Sequence, residues 1–175
     1  MKFRLIPVIL LPYLILSACS KIDDLLTFTI SDHTNFTVES SSPLNLPLDI
    51  VTPEVTTDSD QQFENNNTSA GLVKDVRLQD LRLTITDPSG KTFSFLKSVR
   101  LYISTNSSDE IELAYLEDIP SDVSTIALTT TSEKLDAYIK ASSYKLRTRI
   151  VTRESLTQTV DIRSDLSFKV TAAPL

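Results

Sequence analysis

Tyr144-Lys145-Leu146-Arg147-Thr148-Arg149-Ile150 alternates without a fault, with Tyr144, Leu146, Thr148 and Ile150 separated by Lys145, Arg147 and Arg149. Successive side chains of a strand leave the backbone on opposite faces, so the stretch predicts a β-strand with one buried face and one cationic face. The whole chain has 17 basic and 23 acidic residues, a formal charge of −6. On that background three cations on one strand face are a local excess. Lys145, Arg147 and Arg149 are therefore the candidate partner-binding residues, a docking stripe for an acidic partner or a sugar acid. The competing reading is a solvent face that pairs with carboxylates on a neighbouring strand and discourages edge pairing. Arg153 lies just beyond the stripe, and Arg100 and Tyr102 take the same outward class of position between Val99, Leu101 and Ile103.

The period of two recurs on both sides. Downstream, Val160 and Ile162 and then Leu166, Phe168, Val170 and Ala172 close the chain. Upstream, Ile126 with Leu128, Ile111 with Leu113 and Tyr115, and Leu81 with Leu83 and Ile85 predict further strands. Leu96-Lys97-Ser98 shifts the phase as a bulge would. Asp87-Pro88-Ser89-Gly90 is the clearest turn, with Pro88 at the first central position and Gly90 tolerating the exit. Leu44, Leu46, Leu48 and Ile50 alternate too, but Pro43, Pro47 and Pro53 remove ladder donors, which predicts an edge strand or an extended crossover. Leu26, Phe28 and Ile30, a Ser31-Asp32-His33 turn, and Phe36 with Val38 predict a hairpin. Thr56 to Thr68 reads as a loop around Phe63, and Ser69 caps one helical turn running through Leu72, Val73 and Val76. A single short helix is expected over 133–141, opened by a Thr130 and Glu133 capping box and carrying Leu135, Tyr138 and Ile139 as its stripe. About nine or ten short strands and one helix predict an all-β fold, an antiparallel β-sandwich of immunoglobulin-like character, with a closed barrel as the alternative.

Only two glycines, Gly71 and Gly90, occur in 175 residues, so turns must rely on Asn, Asp, Ser and Pro. The acidic balance makes nucleic acid a poor partner, because a phosphate-binding surface needs Lys and Arg in excess of local carboxylates. Anionic head groups are disfavoured for the same reason.

At the start of the chain, Lys2 and Arg4 precede an apolar run from Leu5 to Leu16, and Leu16-Ser17-Ala18-Cys19 follows. The run is too short to span a bilayer core, which needs roughly 20 apolar residues as helix, but has the length of a secretory h-region. The four residues that end it resemble the lipobox of bacterial lipoproteins. That resemblance implies cleavage between Ala18 and Cys19, a thioether-linked diacylglycerol on Cys19 and an acyl chain such as palmitate on the new N-terminus. It makes 1–18 a signal peptide, 19–25 a lipidated tether and 26–175 one β-sandwich domain. Ser20 after the cysteine points to the outer membrane under the enterobacterial sorting rule. Asp23-Asp24 partly matches the acidic pair of surface-displayed lipoproteins, and reads equally as a solvated linker. From Phe93-Ser94-Phe95 through Ile111-Glu112-Leu113 to Tyr144-Lys145-Leu146, the body is similar to small envelope lipoproteins of no assigned activity, a likeness that carries no catalytic residues.

Catalytic chemistry fails on inventory. His33 is the one histidine, so a zinc site with two or three imidazoles cannot be built, and no phosphate cradle or nucleophile elbow occurs. No cofactor is implied. Asp58 with Asp60, Asp109 with Glu110, and Glu117 with Asp118 are turn carboxylates of the kind that can gather Ca²⁺, though none lies in a Ca²⁺-loop signature. The expected function is that of a non-enzymatic binding, adhesion or scaffold module at the bacterial cell envelope, held to the membrane by its lipid and meeting a protein or glycan partner. The alternative is a carrier of lipid or another apolar ligand in a cavity of the β domain.

Overall fold

The computed structural model describes residues 26–175, so the leader, Cys19 and the tether lie outside the described residues. In chain order the elements are β1 (Thr27–Val38), β2 (Pro47–Val51), β3 (Val55–Thr56), α1 (Ser59–Asn65), a 3-10 turn at Ala70–Leu72 and β4 (Val73–Asp87). A second 3-10 turn at Phe93–Phe95 leads into β5 (Leu96–Ser104), β6 (Ile111–Glu117), β7 (Thr125–Ala127) and β8 (Thr129–Thr130). Then come α2 (Asp136–Ile139), β9 (Ser143–Thr152) and β10 (Val160–Ala172). One sheet has the order β1-β10-β4-β7 and the other β2-β9-β5-β6-β8, with β3 pairing β9 beyond the end of β2. All ladders between these strands are antiparallel. This is the antiparallel β-sandwich that the alternation predicts. Two sheets with separate edges replace the closed-barrel alternative.

The inward residues fill the space between the sheets. Val99, Leu101, Ile103, Leu146, Ile150, Val160, Ile162, Phe168 and Val170 have no solvent exposure. Tyr144 of β9 meets Phe168 of β10 edge-on, ring centroids 6.5 Å apart, and so ties one sheet to the other. Phe93 and Phe95 stack at 6.2 Å beneath one end. The Asp87 to Gly90 turn is present, with a cis Asp87-Pro88 bond and Gly90 at φ 77°, a conformation glycine adopts without a Cβ penalty. The phase shift at Leu96-Lys97-Ser98 is a register shift in the β5–β9 ladder.

Four expectations change. The hairpin over 26–38 is one uninterrupted strand, paired along its length with β10. Phe28, Ile30, Asp32, Thr34, Phe36 and Val38 keep one parity, and the polar pair at 32 and 34 imitated a turn because two inward positions are polar. β4 begins at Val73 and not at Leu81, and its buried residues Val73, Val76, Leu78, Leu81, Leu83 and Ile85 include two three-residue steps. Those steps look helical, but the β10 register steps over one β4 residue at each of three places, so they are bulges. The loop around Phe63 contains α1, with Phe63 fully buried and 6.3 Å from Phe28 in an edge-on contact. The helix over 133–141 shrinks to the four residues of α2. Thr130 belongs to β8 opposite Ala114 and caps nothing, while Leu135, Tyr138 and Ile139 are buried as the stripe requires.

Asp32 explains itself across the sandwich. Its carboxylate accepts a hydrogen bond from the Tyr144 hydroxyl at 2.9 Å. An inward charge on an edge strand also hinders edge-to-edge pairing. Burial pushes the Asp32 carboxyl above its ordinary range, the Tyr144 bond offsetting only part of that, and burial likewise raises the Tyr144 phenol. With the folded value above the unfolded one, the stability linked to Asp32 is fully present below the unfolded pKa and is lost as pH rises through the folded pKa. Asp32→Asn keeps an acceptor for Tyr144 and removes the charge. The variant is expected to be more stable than the parent at neutral pH and to lack this decline, as read from denaturation midpoints across pH. A variant less stable at neutral pH would show that the ionised carboxylate is the better partner.

Candidate functional site

The stripe lies on β9, an interior strand with β2 on one side and β5 on the other, so its cations do not guard an edge. Arg100 and Tyr102 of β5 are the direct neighbours of Arg149 and Arg147 in the ladder, and Ser104 is the neighbour of Lys145. Arg100 and Arg149 would repel if left alone. Each instead turns to carboxylates on its far side. Arg149 makes a fork to Asp49 of β2, Nε to Oδ1 at 2.8 Å and a terminal nitrogen to Oδ2 at 2.9 Å. Arg100 donates to Glu112 at 2.9 Å and to Glu117 at 2.7 Å, both on β6.

Arg147 is the hub. It donates to Asp49 at 2.6 Å and to both oxygens of Glu110, at 2.9 and 2.5 Å. Its guanidinium carbon also lies 4.1 Å from the Tyr102 ring centre, and Arg100 stands similarly 5.4 Å from Tyr115. The Arg147 side chain is only 20 % exposed, against 43 % for Arg149. Hydrogen bonds from these arginines hold the Asp49 and Glu110 carboxyls below the usual range, Arg149 acting first on Asp49 and Arg147 on Glu110. The face therefore reads acid, base, base, acid across β2, β9, β5 and β6.

Lys145 is different. It is exposed and has no hydrogen-bond or ion-pair partner among the described residues. It stands on the rim of a cleft of about 370 Å³ lined by Val51, Ser104, Asn106, Ser107, Glu110, Leu146 and Arg147. Another surface cleft, of about 300 Å³, lies against the Pro88 to Thr92 turn with Asp122 and Ser124. Arg153, expected near the stripe, is structural: it donates to the carbonyls of Ser94 and Ile119 and joins two loops at the far end of β9.

The turn carboxylates resolve into protein contacts. Asp109 accepts from the backbone N–H groups of Thr105 and Asn106 at 2.9 and 3.0 Å, from the Asn106 amide and from the Thr105 hydroxyl. Those bonds hold its carboxyl below the usual range. Glu110 and Glu117 are taken by arginines, and Asp58 sits at the N-terminal boundary of α1 without a side-chain cap bond. Among the described residues no three or more His, Cys, Asp or Glu side chains gather in a metal-binding group. His33 is exposed within β1, opposite Asp165, and not in a turn.

Sequence reasoning missed Asp49, Glu110, Glu112, Glu117 and Tyr115 as parts of this face. The available signal for Asp49 is its outward parity between Leu48 and Ile50. Which strand it faces carries no such signal, because β2 and β9 are about a hundred residues apart.

No protein-family model matches the chain, and no curated protein matches it. Among solved structures it is similar to a Clostridium perfringens chain described in complex with GalNAc-β-1,3-galactose, at 9% identity and a TM-score of 0.34, over 86% of this chain and 99% of that one. It is also similar to a carbohydrate-binding module of the β-sandwich superfamily, at 12% identity and 0.31, over 85% and 56%. A desmodium yellow mottle tymovirus chain shows 13% identity and 0.28, over 84% and 89%. Scores this low leave the β-sandwich to rest on this chain's own strand pairing.

Proposed function

We propose that the chain is a lipid-anchored module of the bacterial cell envelope that binds a protein or glycan partner through the outer face of its six-stranded sheet and performs no catalysis. The observation that carries this reading is the filled interior. With most inward residues of both sheets buried around the Tyr144 and Phe168 contact, what the domain offers a partner is its outside. Carriage of lipid in a cavity is correspondingly disfavoured. The outer face is also cross-linked by ion pairs between neighbouring strands, and side chains already held in such contacts lower the ordering cost of binding.

The anchor rests on the lipobox at Leu16 to Cys19. Among the described residues no helix is long and apolar enough to cross a membrane, and two or three acyl chains suffice for stable attachment. Residues 19–25 reach at most about 25 Å when fully extended, so the end of the sandwich where β1 starts stays close to the outer-membrane surface.

Cys19→Ala is expected to abolish incorporation of labelled palmitate and to leave the protein soluble or held only by its retained signal segment. A photo-crosslinking residue at Tyr115 in the anchored protein should capture a partner, whereas one at Lys169 on the opposite sheet should not. Retained acyl label in Cys19→Ala would refute the anchor. Equal capture from both faces would refute the assignment of the binding face, and saturable uptake of a fluorescent lipid would favour the carrier.

A further inference from the structure

The four cations of the outer face are not equivalent. Arg100, Arg147 and Arg149 are each bound to one or two carboxylates, and an ammonium or guanidinium already neutralised in this way has little attraction left for a ligand. Lys145 is the exception, and it stands beside a cleft whose other polar groups are hydroxyls, an amide, the Glu110 carboxylate and the Arg147 guanidinium that this carboxylate already engages. We infer that this cleft binds a single sugar-acid unit, a monosaccharide that carries one carboxylate and several hydroxyls.

Each feature of the lining constrains the ligand. Lys145 supplies one positive charge for one carboxylate. Glu110, ionised and held by Arg147, keeps lone pairs that sugar hydroxyls can donate to. The same carboxylate repels a phosphate, which brings up to two negative charges and acceptor oxygens in place of donors. Ser104 and Ser107 hydroxyls both donate and accept, which matches the alternating character of a polyol. Val51, 64 % exposed on the edge strand β2, offers an apolar contact to the C–H face of a sugar ring. A volume of about 370 Å³ falls at the small end of the roughly 300–1,000 Å³ of small-molecule sites, suited to a single ring and not to a long chain. The asymmetry is also one of exposure: Lys145 can be approached without breaking any contact, while Arg147 cannot.

The proposal rests on the reading of this face as the binding face and names what it takes. Glucuronate, glucose and inorganic phosphate are the probes, titrated into the full-length protein in detergent and followed by NMR shifts of the lysine ammonium and by calorimetry. Saturable glucuronate binding is expected, at least about tenfold tighter than glucose and than phosphate, a difference of about 1.4 kcal/mol. Lys145→Gln should remove that preference while leaving the melting temperature unchanged, since the side chain holds nothing in the fold, and Lys145→Arg should restore part of it. Binding of glucose as tight as glucuronate would overturn the role of the charge. Phosphate binding as tight would overturn the sugar, leaving a plain anion site. No saturable binding of any probe would overturn the cleft altogether, whereas capture from Tyr115 unaffected by Lys145→Gln would leave the broader binding face standing without it.

Discussion

Phe168→Ala is expected to lower the stability of the domain by about 3–5 kcal/mol, the usual loss for truncating a buried aromatic. Phe168 has no exposed surface and sits on β10, which has β1 on one side and β4 on the other. It lies opposite Ile30 in one ladder and Leu78 in the other, and its ring supports Tyr144 from across the sandwich. The cavity would thus open where the two sheets meet, beneath the tyrosine whose hydroxyl holds Asp32. Neighbours in two antiparallel ladders cannot collapse into the space without giving up hydrogen bonds, which puts the site at the costly end of such substitutions. Denaturant unfolding measures the change, with Leu175→Ala as the control, a terminal residue that is 84 % exposed and should shift stability by no more than about 0.5 kcal/mol. A loss below about 1 kcal/mol for Phe168→Ala would mean that the final strand does not bear on the core as described.

Where the strand pattern is strict, as from Tyr144 to Ile150 or Leu166 to Ala172, the sequence announces both the element and its buried face. Periodicity misled where a strand departs from parity or carries a polar residue inward. Bulges turned β4 into an apparent helical turn at Val73 and Val76, and an inward Asp32 turned one strand into two. Both departures are stabilised by partners on another strand, the first by β10 and the second by Tyr144, and partners at that separation leave no mark on the local pattern. α1 was invisible for a related reason: a seven-residue helix has little propensity signal and is held by the burial of Phe63.

The candidate face divides the same way. That Lys145, Arg147 and Arg149 share a side follows from counting, and so does the outward position of Arg100. That Arg147 meets two acids from different parts of the chain, and Lys145 none, follows only from the sheet order. Charge excess along a strand is a local quantity; its neutralisation across strands is not. The acids nearest in sequence, Asp136 and Glu154, are not the ones the stripe uses.

Arg147→Glu is expected to cost about 1–3 kcal/mol, far more than Lys145→Glu on the same strand face, which should be nearly neutral. An isolated surface pair contributes only about 0–1 kcal/mol, and a cation over an aromatic ring about 0.5–2 kcal/mol. Arg147 combines two carboxylate contacts with the Tyr102 stack at 20 % side-chain exposure. Asp49 and Glu110 are more exposed than Arg147, so solvent screening keeps the sum well below that of a buried triad. The reversed charge would leave three carboxylates facing one another between β2, β9 and the turn before β6, which loosens the edge strand first. Two further measurements separate electrostatics from packing. Raising salt from 0.1 to 1 M shortens the Debye length from about 10 to about 3 Å and should recover part of the loss. Acid should do so as well. In the parent, the folded Asp49 and Glu110 values lie below the unfolded ones, so the stability they contribute is present at neutral pH and is lost as pH falls through the folded values. Without the Arg147 cation that loss should shrink, and the gap between variant and parent should narrow as pH falls. Pairing Arg147→Glu with Glu110→Arg restores opposite charges at the same two positions and is expected to return part of the stability; a double variant no better than the single one would assign the loss to the Tyr102 stack instead of the ion pairs.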